Sequence, residues 1–180
     1  MRGKLGIAFK LVALLALVVA LSACGRGPKA DVNIFILPPG GMDSSVTEAL
    51  EDSIRESVGE AATVDVFSSP IFDLQKLMVE VAAGDNDIMV LPAEQFTSFA
   101  RQGGLPGMDH LFNPEDYPEG VLEAPNDEGT LVKNLYGVPV SGTQWLQSVG
   151  YKGTEMIAFI HPRATDKDKA ELVMKKIMEE

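Results

Sequence analysis

The side chains in this 180-residue chain that could carry covalent or acid–base chemistry are few and scattered. Cys24 is the single thiol, and His110 and His161 are the only imidazoles. Hydroxyls come in two adjacent pairs, Ser44-Ser45 and Ser68-Ser69, with Ser141 and Thr143 further on. Nucleophilic catalysis needs a nucleophile, a base and an orienting group brought together. Ser141 stands in Val-Ser-Gly-Thr rather than the Gly-x-Ser-x-Gly turn that exposes a hydrolase serine. Joining Asp43, Ser44 and His161 into a triad is forced, because His161 precedes Pro162 and reads as the end of a strand. Gly40-Gly41 lacks the following Lys-Ser/Thr of a phosphate-cradling loop. Neither histidine has a Cys partner or the spacing of a metal ligand pair. The expectation is a protein that is not an enzyme, with no catalytic residue, no metal and no cofactor, whose polar loop residues bind rather than react.

The position of Cys24 says what its thiol is for. Arg2, Lys4 and Lys10 precede and punctuate an apolar run from Leu11 to Ala20, and Leu21-Ser22-Ala23 leads to the cysteine. A basic start, about a dozen apolar residues and small residues before a break make a secretory signal. Such a run is shorter than the ~20 residues needed to cross a bilayer. The residues leave three fates open: a lipidated Cys24, a soluble secreted protein cut at the same place, or an uncleaved anchor helix.

The signal holds three of the 15 basic residues and none of the 26 acids, so the chain from Cys24 onward has a formal charge of −14. That excludes a nucleic-acid partner, which demands a basic footprint. It also excludes electrostatic adhesion to an anionic membrane. The remaining 157 residues suffice for one core, and without a second cysteine it must be held by packing.

Residues 24–30 read as a short tether, and residues 31–180 as one domain. Val32–Leu37 is an apolar β-branched run, as in a strand buried on both faces. Ser45 and Glu48 form a capping box, followed by Val46, Ala49, Leu50, Ile54 and Val58 at helical spacing. Thr63–Phe67 is a second strand, and Pro70 is placed to open the next helix, with Leu74, Leu77, Met78, Val81 and Ala82 as its stripe. Asp87–Leu91 is a third strand, followed by a short helix carrying Phe96 and Phe99. Residues 105–130, with four prolines and many acids, read as an irregular surface segment with one helical turn near Pro114–Tyr117. Leu135–Val140 and Glu155–Ile160 are strands, Gln144–Val149 a short helix or loop. A last helix starts near Thr165 and buries Ala170, Val173, Met174, Ile177 and Met178. This βαβαβα order predicts an α/β fold of three layers, a mostly parallel sheet flanked by helices.

In open α/β sheets ligands sit beyond the carboxyl ends of the strands. Those ends select Ser44, Ser45, Ser68, Ser69, Gln95, Ser141, Thr143 and Trp145 as candidate ligand-binding residues. The serines serve equally as turns and helix caps. Trp145, the only tryptophan, can stack on a ligand ring or close the core; Tyr117, Tyr136 and Tyr151 are open in the same way.

Leu21-Ser22-Ala23-Cys24 resembles the lipobox of bacterial lipoproteins. The resemblance implies a cleaved signal (residues 1–23), acylation of Cys24 and anchoring at the extracytoplasmic face of the cell membrane. Three stretches resemble the extracellular solute-binding proteins of ABC importers: the lipobox with its tether and first strand, Leu77–Leu91 leading through Gly103-Gly104 to Asp109, and Tyr136–Ser141. The likeness implies a single lobe similar to the type II periplasmic-binding fold. In that family the chain leaves the first lobe after the strand matching Tyr136–Ser141 and builds a second; here only residues 142–154 intervene, too few for a lobe. The implied role is recognition of a small solute in association with a membrane transporter or sensor. The rival is an interaction or structural lipoprotein with no small ligand; a truncated remnant is a third possibility.

Overall fold

The computed structural model describes residues 29–179, Asp127 excepted and Ala83 by its backbone only. The expected signal over residues 1–23 and Cys24 lie outside the described residues. Five strands, β1 (Val32–Ile36), β2 (Val64–Phe67), β3 (Ile88–Pro92), β6 (Val138–Pro139) and β7 (Met156–Ile160), form one sheet in the order β2-β1-β3-β7-β6. Its helices are α1 (Ser44–Val58), α2 (Leu74–Ala83), α3 (Ala93–Ala100), α4 (Gln144–Ser148) and α5 (Lys167–Glu179).

The three central strands β1, β3 and β7 are buried at every residue. Alternation along them separates two cores. Val32, Ile34, Ile36, Ile88, Val90, Met156, Ala158 and Ile160 share one core with α1, α4 and α5. Phe35, Met89, Leu91, Ile157 and Phe159 share the other with α2 and α3, where the Phe96 and Phe159 rings stand 5.5 Å apart. Three layers therefore form as expected.

The sheet is mixed rather than mostly parallel. β1 runs parallel to β2 and β3, but β7 is antiparallel to both β3 and β6. Parallel pairing of β6 and β7 would need a crossover that returns the chain to the opposite edge. The connection here starts and finishes at one edge: Val140 N–H donates to Met156 O (2.8 Å) and Met156 N–H donates to the Ser141 hydroxyl (2.8 Å). β7 must run back.

Residues 105–130 carry more structure than their composition suggests. Two short 3-10 turns, Pro114–Asp116 and Pro118–Gly120, precede β4 (Val121–Pro125), which pairs antiparallel with β5 (Leu131–Leu135). Asn126 closes this hairpin, its Oδ1 accepting from Glu128 N–H (3.0 Å) and Thr130 N–H (2.9 Å). The expected strand over Leu135–Val140 is accordingly divided between β5 and β6. Gly120 is required where the two segments meet, since a Cβ there would collide with the carbonyl of Gly137.

Two helices differ in detail from the pattern. The Ser45–Glu48 box does not form, because α1 starts two residues earlier with Asp43 at the N-cap and Thr47 donating to Asp43 O at 3.1 Å. Thr47 rather than Ala49 then faces the core with Leu50, Ile54 and Val58. Pro70 does not open α2; Asp73 caps it, Oδ1 accepting from Gln75 N–H (2.7 Å) and Lys76 N–H (3.0 Å). Of the five-residue stripe only Leu77 and Val81 join the core, beside Phe67 and Phe72. Leu74 (57%) and Met78 (62%) stay largely exposed, as does Ala82.

At the amino ends of β1 and β3 the buried Asp87 ties four segments together. Its Oδ2 accepts from Asn33 N–H (2.8 Å) and its Oδ1 from Thr165 N–H (2.6 Å). Its own N–H donates to Asn33 O (2.9 Å), and its carbonyl accepts from His161 N–H (2.8 Å). Asp87→Ala strands the buried N–H of Asn33 and removes the part-buried bond from Thr165, so unfolding in denaturant should show a loss of about 2 kcal/mol; an unchanged midpoint would refute the clasp.

Candidate functional site

β6 lies antiparallel to β7 and β7 antiparallel to β3, so β6 points the same way as β1, β2 and β3. The loops that follow all four therefore emerge at one edge, as the candidate residues required. The loops after β1 and β2 are joined by their backbones, with Gly41 N–H on Pro38 O (2.9 Å) and Met42 N–H on Ser69 O (2.8 Å). Gly41 has a φ of 74°, and a Cβ there would collide with the Pro70 carbonyl, so this approach depends on glycine.

At this edge a shallow cavity of about 290 Å³ opens, lined by Pro39, Phe72, Pro92, Ala93, Glu94, Gln95, Thr154 and Glu155. It lies at the lower limit of small-molecule sites, which run from about 300 to 1,000 Å³. Gln95 is the one candidate side chain that lines it. Phe72, Thr154 and Glu155 were not legible beforehand. The last two precede β7, and only its reversed direction brings an amino end to this edge.

Most of the other candidates are committed to the fold. Thr143 is buried, and its hydroxyl donates to Val140 O (2.8 Å), closing the turn into α4. Ser141 Oγ donates to Thr154 O (3.3 Å) and accepts from Met156 N–H. Ser69 is buried where its carbonyl holds Met42. Ser44 and Ser45 are exposed in the first turn of α1 and do not line the cavity; Ser68 is half-buried. Trp145 is fully buried, and its indole N–H donates to Leu50 O at 2.9 Å. Its ring closes the core between α4 and α1 and is out of reach of a ligand. Tyr136 is buried with its hydroxyl on Val132 O, Tyr151 donates to Thr154 O, and Tyr117 packs edge-on against Phe112.

Two further cavities open on other faces, the second reaching the candidate Ser68 just after β2. One of about 510 Å³ separates the β4–β5 hairpin from the loop after α3, between Leu105, Asn134, Tyr136 and Lys167. The other, about 540 Å³, runs between β2 and α2 and is lined by Lys29, Asp65, Ser68, Lys76, Glu80 and Asn86. Among the described residues no group of three or more His, Cys, Asp or Glu could hold a metal ion, and no helix is long and apolar enough to cross a membrane.

The titratable groups at the opposite edge serve the architecture. His161 is 2% exposed; its Nδ1 accepts from Arg163 N–H (3.2 Å), which puts the proton on Nε2, 3.1 Å from Val81 O. The ring stacks on Phe99 with centroids 6.4 Å apart. Burial, reinforced by the Arg163 charge, lowers its pKa from the ordinary 6.5. Asp31 accepts from Lys169 Nζ (2.6 Å), Thr63 N–H (2.9 Å) and the Thr63 hydroxyl (3.0 Å), which hold its pKa at about 2.

Comparison with protein families, with curated proteins and with solved structures returns no match to this chain.

The His161 environment predicts a pH dependence. The unfolded imidazole takes up its proton near pH 6.5 while the buried one resists, so the contribution is complete above that value and lost as pH falls below it. Stability measured from about pH 7 to about pH 5 should decline, and His161→Gln should flatten that decline; an identical slope in the variant would count against the assignment.

Proposed function

We propose that the protein is a lipoprotein, acylated at Cys24 and anchored at the extracytoplasmic face of the cell membrane. Its α/β domain serves recognition, as a component similar to one lobe of a solute-binding protein and working with a transporter or another membrane partner. The observation that carries the reading is the convergence of four strand ends on one open edge, with a cavity between them. The strand order is consistent with the finer comparison to a type II periplasmic-binding lobe. On this reading β7, which lies between β3 and β6, would be the returning strand that the resemblance implies. The anchor would hold the domain close to an integral partner and raise its effective concentration there.

One observation favours a second reading, in which the edge receives a protein rather than a solute. The cavity wall is largely Pro39, Phe72, Pro92 and Ala93, while Ser141 and Thr143 have their hydroxyls spent on backbone groups. Sites for small molecules combine apolar walls with a few converging polar groups, and here two of the four polar lining residues, Glu94 and Glu155, are acidic and exposed, which leaves Gln95 and Thr154 as the neutral ones. Nothing in either reading calls for a catalytic group.

A thermal-shift screen of the acylated chain in detergent against sugars, amino acids and small anions separates the two. A ligand at 100 times its Kd should add about 2.7 kcal/mol, readable as a raised Tm and abolished by closing the cavity with Ala93→Trp. No shift in any class would leave the protein-binding reading alone. The anchor is checked apart from this: cells fed a fatty-acid probe should label the chain, and Cys24→Ala should abolish the label. Undiminished labelling would overturn acylation at this residue.

A further inference from the structure

We infer that the outer face of α2 rests in the headgroup region of the bilayer, with Leu74, Met78 and Val79 entering its apolar boundary. The inference rests on the proposed acylation of Cys24. The apolar face of α2 is wider than the surface it packs on. Leu77 and Val81 turn inward, while Leu74, Met78 and Ala82, every fourth residue along the helix, lie beside them and stay outside. Val79 flanks that row at 62% exposure, and Ile71, just before the helix, is 64% exposed. Among the described residues the only other large apolar side chain so exposed is Leu131, in the hairpin. Four such side chains within nine residues are a patch, not scattered exposure.

The route of the chain indicates what covers the patch. The described structure begins at Lys29, whose Nζ lies 3.3 Å from Asp85 Oδ2, two residues past the last turn of α2. Cys24 precedes Lys29 by five residues, a covalent reach of at most about 17 Å. A ten-residue helix is about 15 Å long. With the length of the Lys29 side chain that makes this contact added, an acyl chain on Cys24 holds the lipid surface within about two helix lengths of the carboxyl end of α2.

Charge does not hold this face down. Lys29 and Lys76 flank α2, but Asp65, Glu80 and Asp85 stand with them, and the chain from Cys24 onward carries −14. The contact must be apolar, and raising the salt should not release it. With α2 flat on the membrane, the cavity beside Phe72 opens sideways, toward a neighbour in the same membrane.

Acylation occupies the only native thiol, so Met78→Cys, at an exposed position, supplies a single site for an environment-sensitive fluorophore. Glu56→Cys, exposed on α1 across the sheet, is the control. Both full chains are placed in vesicles of phosphatidylethanolamine and phosphatidylglycerol with brominated acyl chains. The expected result is at least twofold quenching at position 78, little at 56, and no change in 0.5 M salt. Equal, weak quenching at both positions in acylated protein would overturn the inference and leave the anchor standing. A blue-shifted but unquenched label at 78 would overturn it in favour of a protein surface, a second copy included. A chain that takes up no acyl chain, with Cys24 still reactive, would overturn the anchor and this inference together.

Discussion

The architecture turns on one buried carboxylate. Asp87 stands at the amino edge of the sheet, where β1 and β3 begin, β7 ends and the chain turns toward α5. Its carboxylate accepts from β1 and from the segment leading into α5, while its backbone bridges β1 and the residue after β7. A charged group is costly to bury unless hydrogen bonds replace the water it loses, and both oxygens of this one are engaged. His161 and Arg163 extend the same edge across to α2, both donating to Val81 O. Asp31, held by Lys169 and Thr63, ties the start of β1 to α5 and to the loop before β2.

The two edges of the sheet are built differently. At the amino edge the polar groups point into the fold and are consumed by it. At the carboxyl edge the loops after β1 and β2 are joined by backbone hydrogen bonds, the connection from β6 to β7 is closed by Ser141, and a shallow cavity remains between them. The first edge contributes rigidity, and the second presents a surface. Among the described residues no element covers this cavity, and that is the feature from which the proposed recognition role is argued.

Much of this was legible because burial imposes local patterns. The runs Val32–Leu37, Ile88–Leu91 and Met156–Ile160 are apolar throughout but for Asn33, because each strand is covered on both faces. The stripe Ala170, Val173, Met174 and Ile177 named the inner face of α5. Two things were hidden. Four prolines concealed the β4–β5 hairpin, although Asn126 to Gly129 is a turn sequence between two strands. The apolar stripe of α2 was read as wholly internal, whereas a period marks which residues share a face and not how much of that face a neighbour covers.

The candidate site divides in the same way. The sequence by itself determined that the polar loops follow strands, that a basic start, an apolar run and small residues lead up to Cys24, and that the chain beyond it is strongly acidic. These are properties of neighbouring residues, which composition and spacing record directly. Only the tertiary structure decided that β7 runs back between β3 and β6, that Trp145 reaches across 95 positions to Leu50, and that Thr154 meets Gln95 and Phe72 at the open edge. Those are choices of pairing between distant segments, settled by which burial satisfies every backbone group at once, and no local pattern encodes them.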